Sequence, residues 1–410
     1  MYGETKETIG LILTGGGARG AYQAGVLKAI AELSTSKTLP FPLISGVSVG
    51  ALNAVGLASK SGSFKKSVDC LEAFWRSLRT ENVFDIRFRK IATTACKMLL
   101  SELLPFIFRA APRSLLDTAP LRESLSKSLD LNAMTRAIGR KKLKAVSVTC
   151  SGYTSGHAVT FFQAAPTVQN WHRVRRDGIR RKLTLDHIMA SAALPFLFPA
   201  IKIENEYFGD GALRLTSPLS SAIHLGATRL LIIGTRDKSS DVDASLTEPL
   251  RHPTLGDLGG YALDTLFHDS LDADLERLEA VNATLKLIPA KDKAALTLNE
   301  IQTLTINPSE DLQLIALRHA AQMPRALRWL LRRKKAANNN GRLESYLLFE
   351  PGYVGSLIDL GYKDAMAMST SIRGFLTEQP PIYLSTVKTH NATARGLATS
   401  FDKKSASTAV

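Results

Sequence analysis

Ser48 stands at the centre of Gly46-Val47-Ser48-Val49-Gly50, between a short apolar run and an alanine-rich stretch with helical spacing. A serine on a tight strand-to-helix turn has its hydroxyl held clear of the backbone, and flanking glycines leave room for the bend. The helix beyond it would direct its positive end at the serine oxygen and at charge developing nearby. The chemistry such a position serves is nucleophilic attack on an acyl carbon. Two glycines and a serine in five positions also arise by chance, so the reading depends on the strand and helix around them.

Gly15-Gly16-Gly17-Ala18-Arg19-Gly20 follows the first strand-like run. Consecutive glycines expose backbone N–H groups and make a cradle for an anion, as an oxyanion hole requires. Arg19 adds a positive charge to that loop. Gly15, Gly17 and Gly20 also satisfy the G-x-G-x-x-G pattern of dinucleotide-binding folds,. That pattern calls for an acidic residue about 20 positions later, at the end of the second strand. Here the second strand runs through Ile44-Ser45-Gly46 and delivers Ser48 instead, which disfavours the nucleotide alternative. The third signal is Gly209-Asp210-Gly211-Ala212, where an aspartate between glycines can approach another turn closely enough to act as a base,. Alone, the same residues would read as an ordinary turn.

Taken in order, these motifs resemble the patatin-like phospholipase family, bacterial type. The resemblance rests on Gly15 to Gly20, Ser48 in GVSVGALNA, the block ASAALPFLFP at 190–199, Asp210 in the DGA turn, and Pro218 after it. It covers roughly residues 8–235 and implies a three-layer α/β/α fold with a mostly parallel central sheet. It further implies an oxyanion hole from Gly15, Gly16, Gly17, Arg19 and Gly20, with Gly46 and Gly50 shaping the elbow. Ser48 would be the nucleophile and Asp210, in the turn with Gly211 and Ala212, its general base. The activity implied is release of fatty acids from phospholipid, lysophospholipid or related lipid esters, with no cofactor and no metal.

The residues favour a Ser–Asp dyad over a triad. His224, His252, His268, His319 and His390 have no context suggesting a catalytic partner, and His187 reads as part of a helix start,. No HExxH spacing points to a hydrolytic metal.

Positioning these groups requires an alternating α/β pattern. Strands are expected at 9–14, 42–46, 143–149, 158–162, 201–208, 229–235 and 284–288, with helices at 21–33 and 49–59. Residues 64–129 read as helices interrupted by prolines. The organisation expected is an acyl hydrolase domain at 8–290, with a helical cap at about 64–130. A helical C-terminal extension at 291–385 would follow, carrying a basic loop at 332–342, then a disordered tail at 386–410. Clearer helices of that extension are expected at 312–332 and 366–376.

A chain of 410 residues with 45% hydrophobic and 22% charged residues can bury a full core,. Its formal charge of +15 suits a polyanionic surface, whether lipid head groups or nucleic acid,. No nucleic-acid-reading module is present, and the resemblance implies a lipid substrate as the partner, with the positive charge suiting an anionic membrane surface. Residues 98–116 interleave apolar side chains with Arg109 and Arg113, as a lid, a bilayer-dipping helix or a buried cap would,. Residues 324–335 combine Trp329 with Arg325, Arg328, Arg332, Arg333, Lys334 and Lys335, as an ordinary solvated helix end or a contact with an anionic surface would,. Cys70, Cys96 and Cys150 lack metal or disulfide spacing and read as reduced thiols,. No secretory signal or spanning segment is evident, so a cytoplasmic, peripherally bound protein is expected. A catalytically idle or regulatory scaffold on the same fold is the alternative.

Overall fold

The computed structural model describes residues 7–60, 62–87, 114–236, 255–293, 298–331 and 341–377, with Thr93, Thr94, Lys97 and Leu296 between. The strands are β1 (Ile9–Leu13), β2 (Leu43–Val47), β3 (Ala145–Gly152), β4 (Ala158–Ala164), β5 (Trp171–Arg173), β6 (Arg176–Arg180), β7 (Ile201–Ile203), β8 (Glu206–Asp210), β9 (Arg229–Ile233) and β10 (Gln302–Ile306). They form one sheet, eight of them in the order β10-β9-β1-β2-β3-β4-β6-β5, with β8 paired to β3 and β7 to β8 off that path. The run from β10 to β3 is parallel throughout, and β4 turns back antiparallel on β3.

Parallel strands covered on both faces read as continuous apolar runs. In β1, Leu11 and Leu13 face one core cluster and Ile12 the other; in β9, Leu231 and Ile233 oppose Leu230 and Ile232 in the same way. The larger cluster lies beneath helices α1 (Ala21–Leu33), α2 (Val49–Ala58) and α3 (Phe64–Ser77), with the helix Pro351–Ala367 above them. The smaller packs against helices Ser220–His224 and Leu255–Leu287. The architecture is therefore a mixed α/β fold with helices on both sides of a mostly parallel sheet and a helical C-terminal part.

Three expectations shift. Residues 284–288 lie in the end of the helix Leu255–Leu287 and in the turn after it, not in a strand. A five-residue apolar run cannot by itself separate the two states. The sheet also continues past residue 290, because β10 pairs in parallel with β9 from Gln302 opposite Arg229 to Ile306 opposite Ile233. Its sequence QTLTI is half polar and gave no continuous apolar signal. The C-terminal helices are part of the core: a Cβ on Gly25 of α1 would lie 1.9 Å from the Ile358 carbonyl oxygen, and one on Gly361 2.2 Å from that of Tyr22. Reciprocal glycines thus let the two helix backbones touch.

Helices Phe64–Ser77, Thr80–Val83 and Ala119–Ser128 occupy the region expected as a helical cap. Residues 98–113, 332–340 and 378–410 lie outside the described residues, and with them most of the lid-like and basic segments, His252 and His390. Among the described residues no helix is long and apolar enough to cross a membrane.

Candidate active site

The site forms where two strands abut on one edge of β3. β4 occupies one edge of β3 along its whole length, so β2 and β8 must share the other. β2 runs parallel to β3 and ends with Val47 opposite Thr149; β8 runs antiparallel and ends with Asp210 opposite Cys150. The two strand ends therefore meet head to head, one delivering Ser48 and the other Asp210.

Their side chains make contact: the Ser48 hydroxyl donates to Asp210 Oδ2 at 2.6 Å. Asp210 Oδ1 accepts the Ala212 N–H at 2.9 Å, which fixes the carboxylate plane. Both residues are buried, at 3% and 1% exposure. Burial pushes the Asp210 carboxyl up to about 7, against the lowering pull of the Ser48 hydroxyl and the Ala212 N–H,. Such a carboxylate is poised to exchange a proton near neutrality.

Ser48 sits at φ 54° and ψ −127°, a conformation costly for a non-glycine residue and expected where surrounding structure enforces it,. The enforcement is visible in the elbow's glycines. A Cβ on Gly46 would lie 2.2 Å from the Gly50 carbonyl oxygen, and one on Gly50 2.1 Å from that of Leu13. The second contact also presses the elbow against the end of β1, where the glycine loop begins. Ser191 anchors the turn from below, accepting the Ser48 N–H at 2.9 Å and donating to the Thr149 carbonyl at 2.6 Å.

The glycine loop is held by a buried polar chain. Trp75 Nε1 donates to Asn53 Oδ1 at 2.8 Å, and Asn53 Nδ2 donates to Gln23 Oε1 at 2.8 Å and to the Gly20 carbonyl at 3.0 Å. Gln23 Nε2 then donates to the Thr14 and Ile233 carbonyls. Gly17 adopts φ 55°, and a Cβ there would meet the Tyr346 carbonyl oxygen at 2.4 Å. Val49 packs on Gly20, so loop and elbow are neighbours.

The Arg19 side chain makes its contacts with the C-terminal part. Its guanidinium is buried, donating through Nε and Nη2 to Ser345 Oγ at 2.9 and 2.7 Å. It stacks over the Tyr346 ring at 4.0 Å and pairs with Asp264 at 3.5 Å. Tyr346 in turn donates to Asp264 at 2.7 Å. The side chain ties the glycine loop to the C-terminal part, with its charge opposed by Asp264.

The histidines stand apart from the Ser48–Asp210 pair. His187 closes a capping box with Thr184 and packs edge-on against Phe161, and burial lowers its pKa below the usual value. His224 stacks on Trp171, and His157 and His172 flank Asp177. Among the described residues none hydrogen-bonds Ser48 or Asp210, and no group of three or more His, Cys, Asp or Glu could hold a metal. Cys70 and Cys150 are free thiols, the first exposed and the second buried.

Sequence reasoning overlooked Ser191, Gln23, Asn53, Trp75, Asp264 and Ser345. Ser191 lies inside the 190–199 block; the others are single residues within helices, legible only once their partners are located.

A parallel α/β sheet with a strained serine at a strand end, paired with a buried aspartate, defines a serine-centred α/β class of protein. The model of the family described as patatin-like phospholipase matches residues 11–223, just over half of the chain. The chain belongs to the patatin-like phospholipase family. It is similar to a cGAMP-activated phospholipase of Pseudomonas aeruginosa, 30% identical over 241 residues, or 55% of this chain and 61% of that one. A 48-residue stretch is 52% identical to the neuropathy target esterase sws of Drosophila persimilis, covering 12% of this chain and 3% of that one. The chain thus spans less than two thirds of either relative. Among solved structures, human GIVD cytosolic phospholipase A2 aligns with TM-score 0.43 and 11% identity, covering 90% of this chain and 60% of that one. VipD from Legionella pneumophila aligns with TM-score 0.32 and 15% identity, covering 89% and 67%.

Proposed function

We propose that this chain is a serine acyl hydrolase that releases fatty acids from phospholipid, lysophospholipid or related lipid esters. The observation that carries the reading is the buried 2.6 Å hydrogen bond from the Ser48 hydroxyl to Asp210. Ser48 Oγ attacks the ester carbonyl carbon while its proton passes to Asp210. The carbonyl oxygen becomes an oxyanion, for which the N–H groups of the loop Gly15 to Gly20 are the donors at hand. One such donor is commonly worth about 3 kcal/mol of barrier. The intermediate collapses, the C–O bond to the alcohol breaks, and the alcohol leaves with the proton from Asp210. Water then attacks the acyl-serine and gives a proton to Asp210; collapse returns that proton to Ser48 and frees the fatty acid. All proton transfers run through one carboxylate, and no cofactor enters the scheme.

Arg19 acts in this scheme as a positioning residue that holds the glycine loop on the C-terminal part. The hydrolase unit accordingly includes β10 and the helix Pro351–Ala367. The surplus of cations favours action at an anionic membrane surface, to which the protein would bind peripherally from the cytoplasm.

The test compares wild type with Ser48→Ala on phosphatidylcholine vesicles, lysophosphatidylcholine, triacylglycerol and a short-chain nitrophenyl ester. Hydrolysis of at least one substrate by wild type, lost in the variant, supports the proposal. Equal turnover by both proteins removes Ser48 as nucleophile, and inactivity of wild type on all four favours the idle scaffold.

A further inference from the structure

A cavity of about 620 Å³ lies away from Ser48 and Asp210. Lys60, Lys66, Arg136, Arg140 and Lys142 line it, with Asp130 as the one carboxylate. Asp130 is committed: it caps its helix by accepting the Ala133 N–H at 2.9 Å and pairs with Arg136 at 3.3 Å. Lys60, Lys66, Arg140 and Lys142 have no ion-pair partner among the described residues.

The fold puts this cavity at the opposite pole from the dyad. Ser48 precedes α2, whereas Ser59 and Lys60 follow it, about 15 Å away at 1.5 Å per residue,. Lys142 likewise lies just before β3 begins at Ala145, while Thr149 and Cys150 toward its far end border the dyad.

Cations beyond a helix C-terminus complement the helix dipole, which accounts for Lys60 after α2 and Arg140 after the helix Leu131–Gly139,. Lys66 has no such account. It lies in the first turn of α3, where the dipole disfavours a cation and where no acidic residue offsets it,. Ser63, the N-cap of α3, makes no capping hydrogen bond with its side chain and lines the same cavity. A cation in the first turn of α3, sharing this cavity with the Ser63 hydroxyl and with three further cations that have no ion-pair partner among the described residues, is an arrangement that an anion completes,.

We propose that this cavity binds a phosphate-bearing anion, at a site distinct from the hydrolytic one. Two sources share that chemistry, a soluble phosphate compound and a lipid phosphate head group, and the experiment separates them. The full chain is titrated calorimetrically with sodium pyrophosphate. In parallel it is sedimented with vesicles of phosphatidylcholine alone and of phosphatidylcholine with phosphatidylglycerol. The variants are Arg140→Gln/Lys142→Gln and, separately, Lys66→Gln. Arg173→Gln/Lys202→Gln, two exposed cations elsewhere, serves as the charge-matched control, and thermal melting verifies folding.

The expected result is saturable pyrophosphate binding, weakened at least about tenfold in the double variant and about threefold in Lys66→Gln, and unchanged in the control. Loss confined to the anionic vesicles upholds the site and assigns it to a lipid head group. Absence of saturable binding in both arms, or equal weakening by the control, overturns it.

Discussion

Ser48 and Asp210 meet across the junction of two strands that share one edge of β3, although 162 positions separate them. Val47 and Asp210 stand opposite the consecutive residues Thr149 and Cys150. Neither side chain has to reach, because the sheet register brings the two chain ends together. β3 is thus the ruler for the site, and disturbing its pairing should separate Ser48 from Asp210.

The buried carboxylate sets the pH dependence. Asp210 must be ionised to take the serine proton, and burial raises its pKa to about 7. The expected kcat/KM profile has a rising limb with its midpoint near pH 7, falling tenfold per pH unit below it. A flat profile between pH 5 and 8, measured with a neutral nitrophenyl ester, would contradict the assignment.

The same shift predicts a stability effect of defined sign. A carboxyl whose folded pKa lies above its unfolded value of 3.8 favours the fold when protonated, and that stability is lost as pH rises toward about 7,. Three units correspond to about 4 kcal/mol. Asp210→Asn should therefore melt above wild type at pH 8 and close to it at pH 4, while its turnover drops about a thousandfold or more. Thermal melts at the two pH values check the sign.

Ser191 holds the Ser48 backbone through one bridging hydroxyl. Ser191→Ala leaves a buried N–H and a buried carbonyl without that partner, at about 1–3 kcal/mol. Because the strained turn loosens, kcat should fall about tenfold with KM little changed. Steady-state kinetics checks the split, and a change in KM alone would point to a substrate contact instead.

Much of this site was legible in the sequence, because glycines mark places where backbone must approach backbone. A Cβ on Gly50 or Gly211 would lie 2.1 Å from a carbonyl oxygen of another strand, and one on Gly46 2.2 Å from that of Gly50 in the same turn, and Ser48 and Asp210 sit among them,. What escaped was set by distant partners. Arg19 beside glycines suggested an anion contact, yet Ser345, 326 positions away, takes its guanidinium. β10 escaped because QTLTI is recognisable as a strand only beside β9.

The C-terminal part should be indispensable. Gly361→Ala would drive a methyl group to 2.2 Å from the Tyr22 carbonyl oxygen, costing several kcal/mol if α1 stays in place,. Ser345→Ala instead removes the acceptor of two Arg19 N–H bonds and should cost about 1–3 kcal/mol, with kcat reduced more than KM,. Denaturant unfolding of both variants tests this; wild-type stability in both would mean that the C-terminal helices dock only loosely.

The most direct measurement is the rate of covalent labelling by a lipid-like fluorophosphonate, with the modified residue located by peptide mass spectrometry. A Ser48–Asp210 dyad predicts an adduct on Ser48, formed faster as pH rises through about 7, and slowed by orders of magnitude in Asp210→Asn. An adduct elsewhere, or labelling of Ser48 at the wild-type rate in the Asn variant, would contradict it.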